Sequence, residues 1–220
     1  MSNEVRDSFK LFLCDFDGLA HWAKVLGRPM KFFKFPSLLL WLPILSCSLV
    51  TAQPLQLAPS VDLSRIVGGW YILAAIPNGF EKHLVGMYDY YSLLPDGSIR
   101  EDFFTHRDSF SRKEEHYTVH DTITPGTHNA LWHVHFFGPI SAPFPLLYVS
   151  PDDNYLLFGY PNRQLGWIYS RSPKIDEKSY RELLRHFEEQ GYDSSRFRRI
   201  VQLPDQLDKA GFTSPPKSSR

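Results

Sequence analysis

Two short stretches at opposite ends of the strand-rich part of this chain constrain its fold most. The first, Val67-Gly68-Gly69-Trp70-Tyr71-Ile72-Leu73-Ala74-Ala75-Ile76-Pro77-Asn78-Gly79-Phe80-Glu81, joins a glycine pair and an indole to an apolar run closed by a proline turn. A strand opens this way when its first residues must plug something. The second, Leu165-Gly166-Trp167-Ile168-Tyr169-Ser170-Arg171-Ser172-Pro173, ends in an arginine. In a barrel whose first and last strands are neighbours, Arg171 lies over the face of Trp70, a cation–π contact of roughly 0.5–2 kcal/mol. Gly68, Trp70 and Arg171 are therefore expected to close the base of a barrel as structural residues rather than to meet a ligand.

Between these ends the pattern is short β-rich runs separated by turn signals. The tyrosine-rich run 84–94 ends at Pro95-Asp96-Gly97, a hairpin turn with the required glycine. A run over 98–105 pairs with one over 116–124 across a charged stretch, 106–115, that suits an exposed loop or a ragged strand. Pro125-Gly126 and His128-Asn129 mark the next turn, and runs over 130–137, 145–150, 155–160 and 166–171 follow. With the Trp70 run this gives about eight closely spaced strands, an all-β fold that is either an up-and-down antiparallel barrel or a sandwich.

One helix follows. Asp176 caps it, and Tyr180, Leu183, Leu184 and Phe187 form one stripe, with Gly191 as the stop. That stripe is expected to pack on the outside of the sheet, because the opposite face mixes Glu182, Arg185, Glu188 and Glu189 instead of being basic. Residues 194–203 are expected to add a short strand, and 204–220 to form a disordered tail.

The amino-terminal fifth is of another kind. From Met30 the chain has two lysines, Lys31 and Lys34, then a short apolar run interrupted by Pro43, then small residues up to Ala52. That is the layout of an export signal over 30–52, and the run is too short and too broken for a permanent membrane span. Translation starting at Met30 would make 1–29 a non-native extension, with a cytoplasmic lead-in as the alternative. Val50-Thr51-Ala52 before Gln53 fits ordinary signal-peptidase cleavage. Ile44-Leu45-Ser46-Cys47 fits a bacterial lipobox, in which Cys47 is lipidated; both processing outcomes stay open. Residues 53–60 then read as a tether and 61–203 as the folded domain. The two cysteines, Cys14 and Cys47, both precede that domain, so thiol, disulfide and Cys-zinc chemistry are excluded from it. The formal net charge of +0 gives no electrostatic footprint for nucleic acid.

The chain resembles the lipocalins, and within them the bacterial outer-membrane lipocalins. The residues that carry the likeness are Val61-Asp62-Leu63 before Gly68-Gly69-Trp70-Tyr71, Ile76-Pro77-Asn78 with Phe80-Glu81-Lys82, and Tyr91-Ser92-Leu93 before Asp96-Gly97. Val134 with Phe136-Phe137-Gly138-Pro139, Trp167-Ile168 with Ser170-Arg171-Ser172-Pro173, and Gln190-Gly191-Tyr192-Asp193 with Ser195 complete it. The resemblance implies an eight-stranded calyx with a helix on its flank, open at one end. It also implies one hydrophobic ligand, a fatty acid or lysophospholipid, and attachment to the outer membrane through Cys47, with the periplasm as the alternative location. The segment 103–128 departs from the family pattern, as does the absence of the cysteine pair common in the family.

An apolar ligand needs aromatic walls, so Phe103, Tyr117, Trp132, Phe136, Phe144, Tyr148 and Phe158 are the pocket candidates. Without a register, alternation leaves open which of them face inward. His133 and His135 share a strand face as metal-binding pairs do, but no spacing supplies a third ligand, and neither a metal nor a cofactor is expected. Arg107, Arg112 and Lys113 are available for a charged headgroup at the rim. Serines and histidines are plentiful, but none lies in a nucleophile elbow, and there is no glycine-rich phosphate loop. The expectation is a carrier, monomeric or homodimeric, that is not an enzyme. An enzyme acting on a hydrophobic substrate, or an envelope interaction module with a filled barrel, are the alternatives.

Overall fold

A computed structural model describes residues 53–137 and 140–213. The proposed extension 1–29, the export signal 30–52 with Cys47, the side chain of Phe136 and the last residues of the expected tail lie outside the described residues.

A short helix, α1 (Leu63–Ile66), precedes eight long strands in meander order. These are β1 (Gly68–Ala75), β2 (Leu84–Leu93), β3 (Ile99–Arg107), β4 (Glu114–Ile123), β5 (Leu131–Phe137), β6 (Ile140–Val149), β7 (Tyr155–Gly159) and β8 (Gly166–Ser170). Helix α2 (Glu177–Glu189) and a two-residue strand, β9 (Arg198–Arg199), follow. Each strand pairs antiparallel with the next, and β1 pairs with both β8 and β2, which closes the barrel. Closure gives each of the eight long strands a neighbour on both sides.

The seam between β1 and β2 is only partly direct. Gly68–Tyr71 pair with Tyr88–Tyr91, and then the two strands separate. The segment after α2 enters the gap: Ala74 and Ala75 pair with Arg199 and Arg198, Ile200 N–H donates to the Leu73 carbonyl at 2.8 Å, and Gly86 N–H donates to the Val201 carbonyl at 2.8 Å. The buried Gln202 amide donates to the carbonyls of Ile72 (2.7 Å) and Met87 (3.0 Å), bridging the two strands.

Helix α2 opens where the Asp176 carboxylate accepts from Ser179 N–H at 2.9 Å and stops at Gly191, whose φ of +81° a side chain would resist. The N–H groups of Gly191 and Tyr192 donate to the carbonyls of Glu188 and Phe187, the double closure of a Schellman end. Its stripe of Tyr180, Leu183 and Phe187 is buried against Ala74, Leu157 and Ile168 on the outer face of the sheet. Burying each such side chain contributes about 1.5–3 kcal/mol.

Several boundaries differ from expectation. Strands β3 and β4 enter the charged stretch 106–115 from its two ends, as far as Arg107 and from Glu114, and leave 108–113 as the loop. Strand β6 begins at Ile140 rather than at Pro145; its prolines each sit across from a β5 residue as ladder partners, Pro145 opposite Leu131 and Pro143 opposite His133. Within the expected tether, Ala58 N–H donates to the Leu146 carbonyl at 2.9 Å and Gln56 N–H to the Gln190 side chain at 2.9 Å, so this stretch is laid along the barrel. Within the expected tail, 204–213 is ordered: Phe212 bridges Arg199, and Thr213 N–H donates to the Arg199 carbonyl at 2.7 Å.

Candidate ligand-binding cup

Directly opposed residues in a sheet share a face, so the pairing register settles what sequence alternation left open. Starting from Trp70 opposite Asp89, the chain of pairs runs Asp89–Phe103–Tyr117 and Tyr91–Glu101–Val119 across β2, β3 and β4. It continues Ile99–Asp121–Val134–Ala142 and Ile123–Trp132–Phe144. Phe158–Trp167 and Leu156–Tyr169–Ile72 bring it back to β1. All of these face the barrel interior.

One end is sealed. Trp70 is fully buried, its indole N–H donates to the Ile66 carbonyl at 2.7 Å, and the Arg171 guanidinium lies 3.7 Å from the ring centroid. The same guanidinium donates to the carbonyls of Arg65 (2.7 Å), Val67 (3.1 Å) and Gly69 (2.9 Å), satisfying the chain as it turns from α1 into β1. Gly68 has φ of +95°, and a Cβ there would stand 3.3 Å from the Arg171 guanidinium. Glycine is thus required by both conformation and approach. Above this floor the interior is filled by rings. Trp132 packs edge-on to Tyr91 at 5.4 Å and to Phe158 at 5.3 Å, and Phe158 stacks on Phe144 at 4.2 Å.

Toward the other end the wall of β3 and β4 is different. Glu101, Phe103, Tyr117 and Val119 face inward yet remain partly exposed, so solvent reaches a hollow on this side. At its mouth Phe103 and Tyr117 stack at 6.1 Å, Phe80 meets Tyr117 edge-on at 6.2 Å, and Arg107 sits 5.8 Å from the Phe80 ring. Asn78 holds the Phe80 turn by accepting from the N–H groups of Phe80 (2.9 Å) and Glu81 (2.8 Å). Arg107 is paired with Glu115 at 3.2 Å, and Glu115 also accepts from the Tyr117 hydroxyl. Burial, and next that bond to Glu115, push the Tyr117 phenol up to about 12.

Beneath the mouth lies a feature that sequence reasoning did not single out. Asp89, Glu101 and Asp121, from three successive strands, face the interior together with the tyrosines Tyr91 and Tyr169. Asp89 and Asp121 are buried; Asp89 is within hydrogen-bonding reach of the Tyr91 and Tyr169 hydroxyls, and Asp121 of the Glu101 carboxyl. Burial is the main reason that all three carboxyls are raised above the usual carboxylate range. Asp121 raises Glu101 further, and Glu101 raises Asp89. Glu101 touches the hollow along part of its side chain while its carboxyl is enclosed by protein. The signal was present in the period-two spacing of Met87, Asp89 and Tyr91, but an acid in an apolar strand reads as an interruption.

Of the expected pocket residues, Phe103 and Tyr117 lie at the mouth, and Trp132, Phe144 and Phe158 in the ring-filled part below. Tyr148 faces away. A bulge between Leu146 and Tyr148 turns it onto the helix side, where it stacks on His186 of α2 at 4.1 Å. His120 and His135 are paired in register at the surface, with His135 beside the Thr122 hydroxyl at 2.9 Å. Among the described residues no His, Cys, Asp and Glu set is arranged to hold a metal ion. Arg112 approaches Asp108 at 3.9 Å, and Lys113 is exposed on the same loop.

Comparison with known proteins agrees with this geometry. The family model described as a lipocalin-like domain matches residues 61–202. Temperature-induced lipocalin-1 of Arabidopsis thaliana is 27% identical over 161 residues, which cover 68% of this chain and 84% of that protein. The outer membrane lipoprotein Blc of Escherichia coli (strain K12) is 28% identical over 158 residues, covering 70% of this chain and 87% of that protein. Among solved structures, insecticyanin from the tobacco hornworm Manduca sexta superposes with a TM-score of 0.57 at 16% identity, covering 75% of this chain and 93% of that one. Apocrustacyanin C2 superposes with a TM-score of 0.53 at 16% identity, covering 66% and 81%.

Proposed function

The chain belongs to the lipocalin-like family, whose members bind small hydrophobic ligands, and on that premise we propose that it carries one amphipathic lipid, a fatty acid or lysophospholipid, with the tail inside the barrel. The observation that supports this is the partly exposed inner wall of Phe103, Tyr117 and Val119 above a base sealed by Trp70 and Arg171. An acyl chain entering there gains about 0.8 kcal/mol per methylene before the costs of association. Affinity therefore rises with chain length until the hollow is full. Fatty acids and lysophospholipids of graded length, competed against a fluorescent lipid probe, test this; a response flat in chain length refutes a tail-burying cup.

The reading extends to location. The relatives named Blc are outer membrane lipoproteins, and Cys47 closes the lipobox-like tetrapeptide Ile44-Leu45-Ser46-Cys47. We accordingly propose a chain anchored to the outer membrane by lipid on Cys47. The mass of the mature amino terminus distinguishes a lipidated Cys47 from cleavage after Ala52. A second reading, a filled barrel acting as an interaction module, draws support from the buried Trp132, Phe144 and Phe158. Native mass spectrometry after gentle extraction separates the two, since a carrier brings lipid with it.

A further inference from the structure

Four of the nine histidines stand on the outer face of two neighbouring strands, His116 and His120 on β4 and His133 and His135 on β5. Spacing shows only that His133 and His135 share a face; the register shows what lies across from them. His120 is directly opposite His135, whereas His133 is opposite Thr122. His116 is engaged elsewhere, stacked on Phe104 and 2.9 Å from the Asp102 carboxylate. His120 and His135 thus form a cross-strand pair of imidazoles, and their neighbours Asp121 and Val134 point the other way, into the barrel.

The two ring centres are 6.3 Å apart, with their planes at 52°. An ion bound to one nitrogen of each ring at about 2.1 Å stands about 3 Å from each ring centre, so rings that share it lie about 5–6 Å apart. The adjustment needed is on the order of 1 Å, which an exposed side chain makes within nanoseconds. Space is not limiting, since His120 is exposed and His135 half-buried. The Thr122 hydroxyl holds one nitrogen of His135 at 2.9 Å. With that nitrogen as the donor, the other carries the lone pair that a metal needs. Asp96, held low chiefly by its bonds from Ser98, is lowered also by His120, which places an anion close to the pair. As the side chains stand, no set of three His, Cys, Asp or Glu converges among the described residues, so water fills the remaining positions. Two imidazoles and water suit copper(II), nickel(II) or zinc(II), whereas magnesium(II) and calcium(II) take cages of oxygen.

We propose that His120 and His135, facing each other across β4 and β5 on the outer wall, chelate one divalent transition-metal ion, copper(II) most tightly, with water completing its shell. The site lies on the far side of the wall from the hollow. It stands or falls separately from the carrier reading.

The test uses the full chain, its His120→Gln and His135→Gln variants, and His133→Gln as a neighbour on the same face that has no histidine opposite it. Copper(II) and zinc(II) salts are titrated calorimetrically in a non-chelating buffer. Cys14 and Cys47 are present alike in all four proteins, so differences among them read the histidines alone. Copper(II) is expected to bind more tightly than zinc(II). Each pair variant should lose at least about tenfold in copper(II) affinity, the cost of turning a chelate into a single-donor contact, and His133→Gln no more than about twofold. Because the chelate exists only when the two strands are paired, copper(II) should also raise the urea midpoint of the unaltered chain but not of the pair variants. Similar losses in all three variants, or in none, overturn the pair site, since the ion is then held by surface histidines at large or somewhere else. Copper(II) binding weaker than about 1 mM in the unaltered chain overturns it as well. Should a variant fail to fold, the electron spin resonance of copper(II) on the unaltered chain decides: splitting from two coordinated nitrogens supports the site, and splitting from one or none overturns it.

Discussion

The buried acids make the stability of the barrel depend on pH in an unusual direction. Burial pushes the Asp121 carboxyl up to about 8, with Glu101 and Asp89 also raised. In the unfolded chain these groups ionise near pH 4. Between those limits the folded state therefore holds more protons than the unfolded one, and stability falls as pH rises. Each retained proton costs about 1.4 kcal/mol per pH unit. From pH 5 to pH 7, one retained proton thus removes about 3 kcal/mol, and two would remove about twice that. The opposing groups act elsewhere: Asp62, Asp96, Asp152 and Asp176 are held low by side-chain hydrogen bonds, so the stability they add is lost only as pH falls below the ordinary carboxylate range. Urea unfolding followed by tryptophan fluorescence at pH 5, 6 and 7 reads the slope directly. Asp121→Asn should flatten it by about one proton's worth and raise stability at pH 7. A stability that is level or rising from pH 5 to 7, or a slope the variant leaves untouched, refutes the reasoning.

Arg171→Met removes three charge-assisted bonds to carbonyls and the contact with Trp70, and should cost about 3–5 kcal/mol by urea unfolding. A loss below about 1 kcal/mol would mean the floor is held by packing alone. Gly166→Ala places a Cβ 2.9 Å from the Phe197 ring and 3.1 Å from Phe187, so about 1–3 kcal/mol should be lost where α2 meets the sheet, visible as a lowered melting temperature. For the ligand, Phe103→Ala should weaken lipid binding by about tenfold, whereas Tyr148→Ala, on the helix side of the wall, should leave the dissociation constant within about twofold. Comparable losses at both positions would contradict the assigned facing.

The parts of the fold that could be read in the chain were those fixed by residues with one strong local or steric requirement. Gly68, Trp70 and Arg171 announced a sealed end because a glycine, an indole and a planar cation have few other reasons to share that arrangement. Asp176, the stripe of Tyr180, Leu183 and Phe187, and Gly191 bounded the helix for the same kind of reason. The inner wall was harder. Strand β3 reads Ile99-Arg100-Glu101-Asp102 with charge on both faces, and β4 sets Tyr117, Val119 and Asp121 inward between His116, Thr118, His120 and Thr122 outward. Acids placed inside hide a period of two. Tyr148 escaped because a bulge one residue earlier reverses the facing, and bulges leave little trace in composition. Residues 53–60 read as a tether, since backbone bonds such as Ala58 to Leu146 do not depend on side-chain type.

The interpolated segment at Ile200, Val201 and Gln202 bears on how this protein is made. Because β1 and β2 touch along half their length and the remaining gap is occupied by residues from beyond α2, a nascent chain that has delivered all eight long strands still has a slit in its side. The final contacts join residues more than a hundred positions apart, so the slowest pairing is also the last to become possible. A watertight wall thus waits for the segment beyond α2, and truncation before Arg198 should yield a leaky vessel rather than a shorter one.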